Sequence, residues 1–126
     1  MRRRKKVNSY KVYLTNPKPY GFAGGAIRSS VIRVLYDRVD GHSSAQINFC
    51  RDVSISHLGK MTARGLFVVV DASEFSNYLH LLQTESPLYW SYSLRDETND
   101  VESYILSSES EETGEGFMDD DSDAAG

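Results

Sequence analysis

The chain has one cysteine, no long apolar run and no basic residue beyond Arg95. The lone Cys50 excludes an internal disulfide framework and any zinc site built from cysteines. No apolar stretch approaches the roughly 20 residues that cross a bilayer, and the basic start, residues 1–6, is not followed by an apolar signal segment. We therefore expect an intracellular, cytoplasmic protein, or a nuclear one if the host is eukaryotic or viral.

Patterns typical of catalysis are also missing. His42, His57 and His80 are scattered through the chain and show no metal-ligand spacing. The glycine-rich segment 21–25 lacks the Lys and Ser/Thr of a phosphate-binding loop. Cys50 ends a predicted strand, which is typical of a small buried side chain. We expect a protein that is not an enzyme and that has no metal site and no cofactor.

Charge is strongly separated along the chain. Residues 1–95 hold all 14 Lys and Arg and six acids, for a net charge of +8, and the last 31 residues hold 12 acids and no base. This asymmetry indicates a basic body that binds a polyanion and an acidic tail that regulates binding or docks a partner. We divide the chain into a flexible basic arm (1–6), one folded domain (7–108) and a disordered acidic tail (109–126), because the tail is too poor in aliphatic residues to fold.

Alternation of apolar and polar residues predicts a mostly β domain with one helix. The stripe Phe75, Tyr78, Leu79 and Leu82 predicts the helix, and Asp71 or Ser73 can cap it. The predicted strands are Val7–Leu14, Ile27–Arg38, Ala45–Cys50, Leu66–Val70, Leu88–Leu94 and Val101–Leu106, with a turn at 16–19, a polar connection at 59–64 and a possible extension through Val53 and Ile55. We expect a small OB-like β-barrel.

The segment Ser30–Val39 leaves an alternative open. Val31, Ile32, Leu35 and Val39 also fit a helical stripe. A helix there would give the ferredoxin-like α+β order of RNA-recognition motifs. The β-branched residues and the Asp40-Gly41 turn signal favour a strand.

Basic and aromatic residues are interleaved along the predicted strands, as in grooves that follow phosphates and stack bases. We predict single-stranded nucleic-acid binding, with DNA favoured over RNA. The predicted binding residues are Arg28, Arg33, Arg38, Lys60, Arg64, Tyr13, Tyr36, Phe67, Trp90 and Tyr92. The alternative is a protein-interaction module or inhibitor whose acidic tail mimics a nucleic acid.

Two family resemblances accompany these patterns. The basic β domain followed by the acidic tail 109–126 resembles single-stranded-DNA-binding proteins. This resemblance implies an OB barrel that binds the nucleic-acid strand and an acidic tail that docks partner proteins and competes with the nucleic acid. In this chain the apolar pair Phe117–Met118 precedes the last acids of the tail. Self-association into a homo-oligomer is a further expectation for the partners of this chain. Separately, segments 12–16 and 64–68 are similar to the two RNA-recognition-motif signatures, which implies base stacking on Tyr13 and Phe67.

Overall fold

The computed structural model describes residues 2–21, 25–52, 59–95 and 97–108, and these form seven strands and one helix. In chain order the elements are β1 (Arg2–Pro19), β2 (Ile27–Val39), β3 (His42–Arg51), β4 (Gly59–Thr62), β5 (Gly65–Asp71), a 3-10 turn (Ala72–Glu74), α1 (Phe75–Thr84), β6 (Leu88–Leu94) and β7 (Val101–Ser108). The predicted class, mostly β with one helix, is confirmed.

The strands build one curled sheet in the order β4-β5-β3-β2-β1-β6-β7. Neighbours are antiparallel except β3 and β5, which are parallel. The curl brings the two edges together at one corner, where the Met61 N–H donates to the carbonyl of Asn99 at 2.7 Å. The sheet is a seven-stranded half-barrel, consistent with a small OB-like β-barrel. No helix in the described part of the chain is long and apolar enough to cross a membrane.

The hairpin between β2 and β3 decides between the two predicted folds. Asp40 and Gly41 both have positive φ, 53° and 86°, as a tight two-residue hairpin turn requires. Ser30–Val39 is therefore strand within β2, paired with β1 on one side and β3 on the other. The ferredoxin-like alternative is excluded.

Three predicted boundaries are corrected. Residues 2–6 are not a flexible arm: Arg2–Lys6 pair with β6, and the Arg4 guanidinium lies 3.6 Å from the Tyr89 ring centre. Such stacking, with the apolar stems of long basic side chains lying along the sheet, makes a basic segment compatible with a strand. The predicted turn at 16–19 belongs to β1, and the predicted connection at 59–64 contains β4. Val53 and Ile55, His57 and the tail 109–126 lie outside the described residues.

The core fills the inner side of the curl. It is built from alternate residues of the strands and is closed at one end by α1, where Phe75 and Tyr78 meet the ring of Phe49 edge-on at 5.2 and 5.3 Å. Asp71 accepts a hydrogen bond from the Ser73 N–H at 3.0 Å and so caps the turn that leads into α1. The predicted helix is confirmed.

Candidate nucleic-acid interface

The outer face of the sheet carries a row of polar and cationic side chains at matching register. Because the residues facing the core alternate with the others, the residues between them point outward. Directly paired positions across β1, β2, β3, β5 and β4 are Lys11, Arg33, Gln46, Phe67 and Lys60. We call these five residues the cationic row. At about 4.8 Å per strand, the row spans about 19 Å.

Amide side chains hold the arginines of this face in place. Arg33 Nη2 donates to Gln46 Oε1 at 3.3 Å, and the Gln46 amide in turn donates to Asn48 Oδ1 at 2.9 Å. Arg28 Nη1 donates to the same Asn48 oxygen at 3.0 Å, and the buried Asn48 amide is anchored on the Val68 carbonyl at 3.1 Å. These acceptors are neutral, so the guanidinium charges of Arg28 and Arg33 stay uncompensated.

The described carboxylates near the row make no ion pair with it; one of them, Asp100, lies opposite Lys60 in a β-bridge at the end of the row. None of Lys11, Arg33 or Lys60 forms an ion pair with a carboxylate of the described residues. Asp71 lies at the margin of the face, opposite Cys50, and its carboxylate accepts a hydrogen bond from the Ser73 N–H. Hydrogen bonds to Ser73 lower the pKa of Asp71, so this carboxyl group is ionised at neutral pH. The outer face of β1–β5 is therefore strongly cationic at its centre.

A groove of about 380 Å³ opens beside the row. Its lining residues are Arg33, Ser44, Gln46, Arg64, Leu66 and Phe67. Arg64 occupies the turn between β4 and β5, where its N–H donates to Thr62 Oγ1 at 3.1 Å. Gly65 follows with φ of 132°, and a Cβ there would lie 2.8 Å from the Ser44 carbonyl oxygen, so only glycine lets this turn approach β3 closely.

A small apolar patch supports the opposite end of the same face. Ala26, Cys50 and Val69 are buried there with Tyr20 against them, and the Arg28 guanidinium lies 4.8 Å from the Tyr20 ring centre. Burial raises the pKa of the Cys50 thiol. A raised pKa favours the protonated thiol, and the full burial of Cys50 agrees with the small buried side chain that the sequence predicts.

Six of the ten predicted binding residues lie on the outer face: Arg28, Arg33, Lys60, Arg64, Tyr13 and Phe67. Tyr13 is 41% exposed, and its register partner is Val31, next to the cationic row. Lys11 and Gln46 belong to the row but not to the predicted set. The two-residue spacing between Lys11 and Tyr13 is the sequence signal that places both on one face of a strand.

The other four predicted residues do not join this face. Arg38 lies at the hairpin end of β2, where it donates to the Gly41 carbonyl at 2.7 Å. Tyr36, Trp90 and Tyr92 are core residues, exposed by only 3%, 0% and 1%. The expectation that these three rings stack on bases is corrected: their positions in β2 and β6 alternate inward, and the curl of the sheet covers them.

The buried tyrosines instead take part in a chain of hydrogen bonds inside the barrel. Tyr92 OH donates to Asp40 Oδ2 at 3.2 Å, so it accepts from His42 Nε2 at 3.2 Å, and Tyr36 OH then donates to His42 Nδ1 at 3.1 Å. Arg3 closes the chain with two bonds to Asp40, at 2.9 and 3.2 Å. Burial lowers the pKa of His42, so the ring is neutral at pH 7. His42 thus has a structural role.

No protein-family model, curated protein or solved structure matches this chain.

Proposed function

We propose that this protein binds single-stranded nucleic acid on the outer face of β1–β5 and is not an enzyme. The observation that carries the proposal is the cationic row, which places Lys11, Arg33 and Lys60 across five strands, and none of the three forms an ion pair with a carboxylate of the described residues. A strip of cations without ion-pair partners suits a flexible polyanion, because each phosphate bound releases condensed counterions.

Aromatic and amide groups beside the cations support the nucleic-acid proposal over a generic polyanion. Phe67 lies within the row, between Gln46 and Lys60, and is only partly buried. Tyr13 is exposed two residues from Lys11. Single-strand grooves combine such rings with cations because any base can stack on an aromatic face. The resemblance to single-stranded-DNA-binding proteins makes DNA the favoured strand.

The acidic tail is part of the same proposal. Residues 109–126 carry eight acids and the apolar pair Phe117–Met118. A tethered acidic segment reaches an effective concentration in the millimolar range near the body, so weak attraction to the cationic row competes with nucleic acid. The same segment is the proposed docking point for a protein partner.

The test is fluorescence anisotropy with single-stranded DNA, single-stranded RNA and duplex DNA at two salt concentrations. We expect the single strands to bind more tightly than the duplex. Phe67→Ala should weaken single-strand binding by about 1–3 kcal/mol, the range for loss of one stacked base. Tyr89→Ala is the matched control, since Tyr89 is also a partly buried outer-face aromatic but lies on β6, under Arg4.

The outcome that contradicts the proposal is equally specific. Absence of oligonucleotide binding at low salt would favour the interaction-module alternative, in which the tail imitates a nucleic acid in a partner's cleft. Equal effects of Phe67→Ala and Tyr89→Ala would show that the row is not where bases stack.

A further inference from the structure

The long first strand has one side without a partner. β2 pairs with β1 between Val7 and Pro19, with register shifts between Val7 and Ser9 and between Leu14 and Lys18, whereas β6 pairs with β1 only over Arg2–Lys6. From Val7 onward, no strand in the described part of the chain covers the second side of β1. Unpaired backbone N–H and C=O groups in an extended strand form a template for another strand.

Apolar side chains are concentrated on this open edge. The exposed fractions of Val12, Tyr13 and Leu14 are 37%, 41% and 77%. These are three of the four large hydrophobic residues that are exposed in the described part of the chain. Native edges are commonly protected by charges or by short length. An exposed apolar triplet on an unpaired edge is the opposite pattern, and it marks an interaction surface.

We propose that a second copy of this chain pairs antiparallel with β1, centred on Tyr13. In this register Val12 of one copy lies opposite Leu14 of the other, Lys11 lies opposite Thr15, and the two Tyr13 side chains face each other. No lysine opposes a lysine, whereas a register centred on Lys11 would set like charges face to face, which destabilises a strand pair. Pro17 and Pro19 have no N–H to donate and limit the pairing to the stretch before them.

The chain's own tail would also meet Lys11 at this edge, but it would not give both Val12 and Leu14 an apolar partner. The tail offers only the single apolar pair Phe117–Met118 among its acids. The second copy supplies an apolar residue opposite each exposed one and requires no other component, which is why we commit to it.

The symmetry of this pairing has a consequence for the outer face. Two antiparallel strands in one sheet are related by a two-fold axis perpendicular to the sheet, so both outer faces point the same way. The two cationic rows then lie on one continuous surface. Their Lys11 residues are offset by four positions along the strands, roughly 13 Å. A dimer would double the surface offered to a polyanion.

Analytical ultracentrifugation of the full chain without nucleic acid tests the interface, and we expect a dimer. Val12→Lys and Leu14→Glu should each raise the dimer dissociation constant by about tenfold or more, because each change affects two symmetric contacts. The double variant Val12→Lys/Leu14→Glu should recover the dimer, since position 12 of one copy faces position 14 of the other. Ile105→Glu, at an exposed apolar residue of β7, is the control and should leave the dimer unchanged.

Cross-linking tests the register. Tyr13→Cys should form an intermolecular disulfide on oxidation, because facing residues of paired strands lie within disulfide range. Ser9→Cys should not, since position 9 lies four residues from the centre of the pairing; the native Cys50 is fully buried and does not compete. A monomeric chain, no recovery in the double variant, or equal cross-linking at positions 9 and 13 would overturn the proposal. Because these readouts contain no nucleic acid, their failure leaves the proposed binding function standing.

Discussion

Replacing Arg33 by glutamine should reduce the salt dependence of single-strand binding by one phosphate contact. Arg33 lies at the second position of the cationic row, held by Gln46 and unpaired with any carboxylate of the described residues. Each phosphate contact to a single strand adds about −0.7 to the slope of log affinity against log salt. Raising salt from about 50 to about 200 mM therefore costs about 2.6-fold in affinity per contact.

The double variant Arg33→Gln/Lys60→Gln extends the calculation to both sides of Phe67. Two lost contacts lower the slope by about 1.4, so the wild-type chain should lose about sevenfold more affinity than the double variant over the same fourfold increase in salt. Fluorescence anisotropy titrations at several salt concentrations measure both slopes. The variants should keep the wild-type melting temperature, since neither side chain belongs to the core.

Arg38→Gln is the control because it removes the same charge from the same strand. Arg38 lies five residues from Arg33, roughly 16 Å along an extended strand. That distance exceeds the Debye length of about 10 Å at 0.1 M salt, so the slope should not change. A slope that falls with Arg38→Gln and not with Arg33→Gln would refute the assignment of the row as the phosphate-binding surface.

Three further predictions concern the core, the buried histidine and the tail. Trp90→Ala should cost about 3–5 kcal/mol of unfolding free energy, measured by denaturant titration, since the indole is fully buried; a variant as stable as the wild type would place Trp90 outside the core. Burial lowers the pKa of His42, so below about pH 6.5 the unfolded chain binds a proton at this ring more readily than the folded chain does. Protonation therefore favours the unfolded chain, and the melting temperature should fall as the pH drops below that value. His42→Gln should remove much of that fall and His80→Gln, exposed on α1, should not; the reverse result would contradict the hydrogen-bond chain. Replacing the eight acids of 109–126 by their amides in the full chain should tighten single-strand binding, most at low salt, whereas unchanged affinity would assign the tail to partners alone.

Local sequence patterns were sufficient for most of the elements. The Asp40-Gly41 pair predicts a tight hairpin because both positions need positive φ, and the structure has it. The stripe from Phe75 to Leu82 predicts an amphipathic helix that covers one end of a core, and α1 does so. These features depend on residues close together in the chain, so the sequence can report them directly.

Long-range pairing could not be predicted in the same way. Residues 2–6 appear as a solvated basic arm until β6, almost 90 positions later, supplies hydrogen bonds and the Tyr89 ring to Arg4. The open edge of β1 likewise follows from the point at which β6 begins, which is a property of the assembled sheet.

The sequence alone determined which residue types a candidate interface can contain and which neighbours share a face of a strand. The tertiary structure determined which of those residues lie together on the exposed face. A two-residue period shows that Trp90 and Tyr92 share one face and that Lys11 and Tyr13 share another, but it does not show which face is buried. The curl of the sheet settles that choice by enclosing the side with the larger apolar surface. Trp90 and Tyr92 therefore lie in the core. Arg33, Phe67 and Lys60 come from three different strands, yet they lie in one row because the register across the sheet sets their distance, and not their spacing along the chain.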